Sequence, residues 1–117
     1  MPDLAELRYV SAMTHEIHLR DQFGPRLSDG SEACRFRVSK IDPYLALCDT
    51  VVLDFTGIRS ANSSFVNALV SGLLEQHGSQ TLSKLIFRGC LPTIQVLVQS
   101  AVDLGITKHA ELASTNR

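Results

Sequence analysis

Thr50-Val51-Val52-Leu53-Asp54-Phe55 is the clearest structural signal in this chain. It is rich in β-branched residues, and apolar side chains occupy both alternating sets of positions. A strand that is apolar on both faces is typical of the buried centre of a parallel sheet. Thr56-Gly57 ends the strand, and residues 58–64 form the loop that follows. We therefore predict a buried central strand that leads into an exposed loop.

An amphipathic helix is predicted directly after this loop, at residues 65–77. Its apolar residues recur at helical spacing along two adjacent lines, and its polar residues form a third line. Gly78 is expected to end the helix, at a position where a positive φ is favoured. One of Asn62, Ser63 and Ser64 should cap its start.

The strand and helix then repeat as a second unit. Residues 84–88 are predicted as a strand, Gly89-Cys90-Leu91 as a turn, and Pro92 suits the first position of a helix. We expect this helix to run to about Leu104 and to end at Gly105. Strands and helices that alternate at this spacing imply right-handed crossovers and at least two parallel strands, so the class is α/β.

The N-terminal half gives less regular signals. Residues 15–20 alternate polar and apolar side chains, which predicts a half-exposed strand, and residues 23–30 contain the Gly and Pro of a loop. Residues 31–41 are predicted as a helix. Asp42 and Pro43 suit the cap and first residue of a further helical turn. The apolar side of the 31–41 helix is expected to consist of Ala33, Cys34, Phe36 and Val38.

A chain of 117 residues has room for one domain with one core. We place this domain at residues 14–109. Residues 1–13 are predicted as an N-terminal extension or an element at the sheet edge, because residues 3–11 fit either a helix or a strand. Residues 110–117 are expected to fray.

The charge balance and composition argue against two classes of binding partner, nucleic acids and membranes. Eleven Lys and Arg against twelve Asp and Glu give a net charge of −1, so the basic surplus of a nucleic-acid-binding protein is missing. No apolar run approaches the length that spans a bilayer, and the N-terminus lacks the pattern of a signal peptide. The three cysteines form no CxxC pair. We therefore expect a cytoplasmic protein with reduced thiols that binds neither nucleic acid nor membrane.

Few residues suggest catalysis or a cofactor. The sequence has no nucleotide-binding motif, and its four histidines are not spaced as metal ligands, so we expect no cofactor and no metal. Cys90 precedes a predicted helix N-terminus, where the helix dipole lowers the pKa of a thiol. We weigh a reactive thiol against a small buried apolar residue and favour the second. No histidine or carboxylate is placed in sequence to activate Cys90 or Ser63, so we predict no enzymatic activity.

The loop at residues 58–64 is the best candidate for a binding site. It contains three serines and Asn62 where a central strand meets the start of a helix. Partners and ligands bind at this edge of open α/β sheets, and the free N–H groups of a helix start accept anions. The alternative is that these residues only cap the helix. One residue suffices for that, so the adjacent Ser63 and Ser64 leave a hydroxyl to spare.

The stretch from Asp54 to Ser64, Asp-Phe-Thr-Gly-Ile-Arg-Ser-Ala-Asn-Ser-Ser, resembles the signature of STAS domains, the sulfate-transporter and anti-sigma-factor-antagonist family. Gly-Cys-Leu-Pro-Thr-Ile at residues 89–94 resembles the turn and helix start that follow in that family. Pro25-Arg26, Asp29-Gly30 and Ser63-Ser64-Phe65 resemble, in the same order, a bacterial STAS-like family of uncharacterised function.

The resemblance covers about residues 14–106. It implies an α/β domain of STAS-like topology, with a mixed sheet of about four strands and helices mainly on one face. In antagonist STAS domains, a partner kinase phosphorylates the serine that follows the aspartate of the motif, and this position is Ser63 here. Asn62 stands where that aspartate would be, and Phe65 stands where the family has glycine.

Arg26 and Asp29 flank the Gly-Pro loop and allow two interpretations. Either they form a solvated turn with a local ion pair, or Arg26 folds back toward Asp54 or the loop at residues 58–64. Ser63 is thus the candidate phosphate acceptor. The candidate partner-binding or ligand-binding residues are Arg26, Asp29, Asp54, Asn62 and Ser64.

The resemblance implies a regulatory module that binds a protein partner through the loop and switches partners on phosphorylation of Ser63. The expected partner is a histidine-kinase-like ATPase with serine kinase activity, or an anti-sigma-type regulator. Two alternatives stay open. One is an assembly protein without a switch, for example a homodimer, and the other is a binder of a small ligand or anion at residues 58–64.

Overall fold

The computed structural model of this protein describes residues 13–115, so the predicted N-terminal element lies outside the described residues except for Met13. The strands are β1 (Thr14–His18), β2 (Arg26–Leu27), β3 (Thr50–Asp54), β4 (Ser60–Ala61) and β5 (Leu85–Arg88). The helices are the short α1 (Leu19–Phe23) and the long α2 (residues 30–47), α3 (residues 63–77) and α4 (Pro92–Thr115). A 3₁₀ turn at Ser79–Ser83 precedes β5.

The strands form two parallel sheets. The larger one has the order β1-β3-β5, and the smaller one pairs β2 with β4. The predicted α/β class and the central position of β3 are confirmed. The strand count is near the predicted four, but every pairing within residues 13–115 is parallel, whereas a mixed sheet was predicted.

The two faces of the larger sheet differ. Val51 and Leu53 of β3 point into the main hydrophobic core, where neither is exposed to solvent. Their neighbours Val52 and Asp54 alternate to the opposite face. The successive crossovers from β1 to β3 to β5 advance in one direction, and right-handed connections then place α2 and α3 on the same face.

Helices α2 and α3 each contain a π-helical turn in the middle. In α2 it is Arg37–Ile41, between Gly30–Phe36 and Asp42–Leu47. In α3 it is Asn67–Ser71, between Ser63–Val66 and Gly72–His77. The helix predicted at residues 65–77 and its end at Gly78, whose φ is +86°, are confirmed.

The buried side of α2 agrees with the predicted one only in part, at Ala33, which is buried, and Phe36, which packs against the core. Cys34 and Val38 are exposed, and the residues that are buried follow a spacing of four: Ala33, Arg37, Ile41 and Leu45. Asp42 does not cap a new helix, because α2 continues through it. Its carboxylate instead accepts a hydrogen bond from Arg37 Nη1 at 2.9 Å, and His77 Nε2 lies 3.2 Å from its other oxygen.

Helix α4 continues through Gly105 to Thr115, so the predicted end at Gly105 is wrong. Gly105 is buried where α4 crosses α3. A Cβ atom at Gly105 would lie 2.6 Å from Leu74 Cβ and from the carbonyl oxygen of Ser71. The glycine therefore permits a close helix crossing instead of ending the helix, while fraying of residues 110–117 stays a prediction.

Candidate functional site

The loop at residues 58–64, hereafter the serine loop, is held against the segment that precedes α2. The N–H of Arg59 donates to the carbonyl of Pro25 at 2.8 Å, and the N–H of Asn62 donates to that of Leu27 at 2.9 Å. Between these bonds, Ser60 lies in register with Arg26. The predicted loop at residues 23–30 thus contains a two-residue strand, β2, that gives the serine loop a defined position.

Asn62 is the residue that caps α3. Its side-chain oxygen accepts from the N–H of Phe65 at 2.9 Å, and its side-chain nitrogen donates to the carbonyl of Ser28 at 2.9 Å. An aspartate could make the first of these bonds but not the second, because a carboxylate carries no N–H donor. Asn62, at the place of the family's aspartate, therefore ties the start of α3 to the segment before α2.

The two serines that follow have different environments, although both are exposed. A Cβ atom at Gly30 would lie 2.6 Å from Oγ of Ser64, so Ser64 fills the space that this glycine leaves open. Within residues 13–115, the Ser63 hydroxyl has no hydrogen-bond partner. Because Asn62 makes the cap, neither serine hydroxyl is needed for it, and Ser64 differs from Ser63 in lying against Gly30.

Asp29 caps α2 in the same way that Asn62 caps α3. Its carboxylate accepts from the N–H groups of Ser31 and Glu32, at 3.0 and 3.2 Å. The starts of α2 and α3 lie side by side. The positive ends of two helix dipoles therefore face the same part of the surface.

Arg26 is exposed, and in the described part of the chain its side chain makes no ion pair or hydrogen bond. The predicted ion pair with Asp29 and the predicted approach to Asp54 do not form, since Asp29 caps α2 and Asp54 is bound by other cations. The backbone of Arg26 lies beside the serine loop, in register with Ser60. The structure thus places Arg26, Asp29, Asn62, Ser63 and Ser64 around the serine loop. Asp54 does not belong to this group, because its carboxylate is bound by Arg88 and by the N–H of Thr56.

Asp54 belongs to a second cluster, which sequence reasoning missed. On the sheet face away from the core, Arg88 Nη2 lies 3.1 Å from Asp54 and also binds Glu16. His18 Nδ1 lies 3.3 Å from Asp54. His18, Asp54 and Arg88 lie side by side on the three neighbouring strands. Their proximity can be inferred only once the strand order is known. Glu16, His18 and Asp54 have donor atoms close enough for a metal ion, but the Arg88 guanidinium already bridges the two carboxylates.

Asp54 is a permanently ionised structural group in this cluster. Hydrogen bonds from the hydroxyl and the backbone N–H of Thr56, and then from Arg88, hold the pKa of Asp54 at about 2, below its ordinary value of 3.8. Since these bonds favour the carboxylate, Asp54 stabilises the folded state wherever it is ionised in both states, and that contribution is lost as the pH falls toward 2.

We therefore expect the stability advantage of the wild type over Asp54→Asn to be constant above about pH 5 and to shrink between about pH 4 and pH 2. Urea unfolding of both proteins, followed by circular dichroism across this pH range, measures the difference. A difference that does not change with pH would contradict the assigned role of the carboxylate.

Cys90 lies beside a groove of about 660 Å³ between β5 and α4, where Phe87 and Val98 also line the wall. Burial raises the pKa of the Cys90 thiol, and the negative charge of Asp54 raises it further. The position of Cys90 before a helix start predicted a lowered pKa, but burial and the charge of Asp54 outweigh that effect. A thiol of this kind is a weak nucleophile at neutral pH.

Among the described residues, no helix is long and apolar enough to cross a membrane. Comparison with known families gives one finding: a family model described as a STAS-like domain of unknown function matches residues 32–95. No curated protein and no solved structure gives a significant match. The matched range includes β3, the serine loop, α3 and β5.

Proposed function

The chain belongs to the family of STAS-like domains of unknown function, and from this premise we propose that it is a non-enzymatic regulatory module of the cytoplasm. It binds a protein partner through the serine loop and the start of α3. Phosphorylation of Ser63 releases that partner. By resemblance to antagonist STAS domains, the partner is a histidine-kinase-like ATPase with serine kinase activity or an anti-sigma-type regulator.

The observation that carries the proposal is the hydroxyl of Ser63, which makes no hydrogen bond within the described part of the chain. Asn62 supplies the cap, so the cap stays in place when Ser63 is modified. The Ser63 side chain is exposed and accessible to a kinase. A serine that is exposed at a helix start, and whose hydroxyl is not needed to cap the helix, is suited to reversible phosphorylation.

The local electrostatics fit a phosphate at this position. Ser63 is the first residue of α3, where free N–H groups and the helix dipole favour an anion. Arg59 of the loop and Arg26, which pairs with Ser60, are both exposed. A phosphate adds about −1.5 to −2 charges at neutral pH, so the free domain tolerates it. A partner that covers the loop must desolvate the phosphate, and binding is weakened.

The absence of enzymatic activity is part of the proposal. Within residues 13–115, no basic side chain hydrogen-bonds the Ser63 hydroxyl to remove its proton. Asp54 is held by Thr56 and Arg88, and the raised pKa of Cys90 disfavours its thiolate. The groups that could act as nucleophile or base are therefore unactivated or already engaged.

We test the proposal with Ser63→Asp and Ser63→Ala, each immobilised and used to capture partners from the native cell extract, with quantification by mass spectrometry. The partner should be retained by the wild type and by Ser63→Ala, and about tenfold less by Ser63→Asp, which corresponds to about 1.4 kcal/mol. Ser79→Asp is the matched control, because Ser79 is an exposed serine at the start of the 3₁₀ turn.

Equal retention by Ser63→Asp and Ser63→Ala would show that the serine loop is not a phosphorylation switch. Equal loss in Ser79→Asp would show that added negative charge acts without regard to position.

A further inference from the structure

Strand β5 forms one edge of the larger sheet, and its backbone shows which groups are free. The N–H of Val51 donates to the carbonyl of Lys84, and the N–H of Phe55 donates to the carbonyl of Arg88, both at 2.7 Å. In a parallel pair the residues of a strand alternate between facing the neighbour and facing away. The N–H and C=O groups of Leu85 and Phe87 therefore point outward from the sheet, and among the described residues they have no partner.

Apolar surface accompanies these free groups. On the face away from the core, the Ile86 side chain is 49% exposed. On the other face, the 660 Å³ groove between β5 and α4 runs along the edge and is lined by Leu82, Phe87 and Val98. A free edge with apolar side chains is a template for pairing with another strand.

We propose that β5 pairs in antiparallel fashion with β5 of a second copy of this chain, so that two three-stranded sheets join into one of six strands. Leu85 and Phe87 are two residues apart, so the two-fold axis passes beside Ile86. In this register Leu85 of each copy exchanges two hydrogen bonds with Phe87 of the other. All four free donors and acceptors of each copy's edge are then satisfied.

The register also pairs the exposed apolar side chains. Ile86 faces its own counterpart in a non-hydrogen-bonded pair, where side chains are closest, so the exposed apolar surface is buried. Lys84 lies opposite Arg88 of the other copy. Arg88 is bound to Glu16 and Asp54, and the ammonium of Lys84 donates to the carbonyl of Leu45 at 2.8 Å, so neither cation is an unpaired charge at the edge.

This reciprocal fit favours a second copy over an unrelated peptide. The pairing uses no residue of the serine loop, so it stands or falls independently of the proposed function. It assigns the homodimer, which the sequence left as an alternative, to one surface of the fold.

The first test measures the dissociation constant of the purified chain by sedimentation equilibrium. The wild type should be a dimer, and Ile86→Lys should raise the dissociation constant by about tenfold or more, because it places like charges opposite each other across the axis. Leu47→Lys is the matched control, since Leu47 is 67% exposed and lies on α2. It should leave the dissociation constant unchanged.

The second test keeps the proposal falsifiable if the lysine variant folds poorly. In a Cys34→Ser background, which removes the exposed native thiol, Ile86→Cys should form an intermolecular disulfide under mild oxidation. Leu47→Cys in the same background should not. A wild type that is monomeric at all concentrations would overturn the proposal, as would a dimer that neither Ile86→Lys weakens nor Ile86→Cys cross-links.

Discussion

Replacing Asp42 by alanine should lower the free energy of unfolding by about 3–5 kcal/mol, because it leaves the Arg37 guanidinium buried without its counter-ion. Arg37 is only 6% exposed, between α2 and α3. Its Nε donates to the carbonyl of Ala68 at 3.1 Å and its Nη1 to Asp42 at 2.9 Å. A Cβ atom at Gly72 would lie 2.6 Å from Nε, so that glycine makes room for the arginine.

The matched variant is Arg37→Met, which removes the cation instead of the anion. We expect a loss of no more than about 2 kcal/mol, because Asp42 keeps its contact with His77 and the methionine fills most of the arginine's volume. Urea unfolding followed by circular dichroism measures the stability of both variants. The slope of the free energy of unfolding against urea concentration shows whether unfolding stays two-state. A larger loss in Arg37→Met than in Asp42→Ala would contradict the assigned role of the pair.

Replacing Gly89 by alanine should be the second large effect, lowering the free energy of unfolding by about 3–5 kcal/mol. Gly89 has a φ of +74°, which alone costs a non-glycine residue about 1–3 kcal/mol. Its Cβ would also lie 2.8 Å from the backbone nitrogen of Thr56. Backbone cannot move aside as a flexible side chain can, so the turn that hydrogen-bonds Asp54 would be displaced.

Gly24→Ala separates the two contributions. Gly24 has a similar φ of +80°, but a Cβ there would meet no atom within 4 Å. It should therefore show only the conformational cost, about 1–3 kcal/mol. Thermal and urea unfolding of both variants test this, and equal losses would mean that the contact between Gly89 and Thr56 contributes nothing.

The serine loop shows which features of a site can be predicted from neighbouring residues alone. The residues 62–64 were identified as the place of a helix cap with a hydroxyl to spare, since capping depends on a few neighbouring residues. Which of the three makes the cap depended on a distant contact. Asn62 is favoured because its amide also reaches the carbonyl of Ser28, 34 residues away.

The second cluster could not have been found this way. Arg88 contacts Asp54 from 34 residues away and Glu16 from 72 residues away. Each is an ordinary charged residue in its own strand, and their meeting follows from the order β1-β3-β5 and its register. The candidate partner of Asp54 in the sequence was Arg26, which the register places on the other sheet.

The features that depend on neighbours along the chain were predictable from the sequence. The buried strand at β3, the span of α3, its end at Gly78 and the α/β class follow from periodicity, from capping residues and from strand–helix alternation. These signals are local, because each reflects the environment of a few consecutive residues.

The remaining features depend on tertiary contacts. These contacts placed Arg37 in the core, paired Arg88 with Asp54, turned Gly105 from a helix end into a helix crossing, and, within residues 13–115, left Leu85 and Phe87 with free backbone groups. The physical reason is common to all four. Burial, ion pairing and edge position depend on which distant elements meet and in what register, and no stretch of neighbouring residues contains that information.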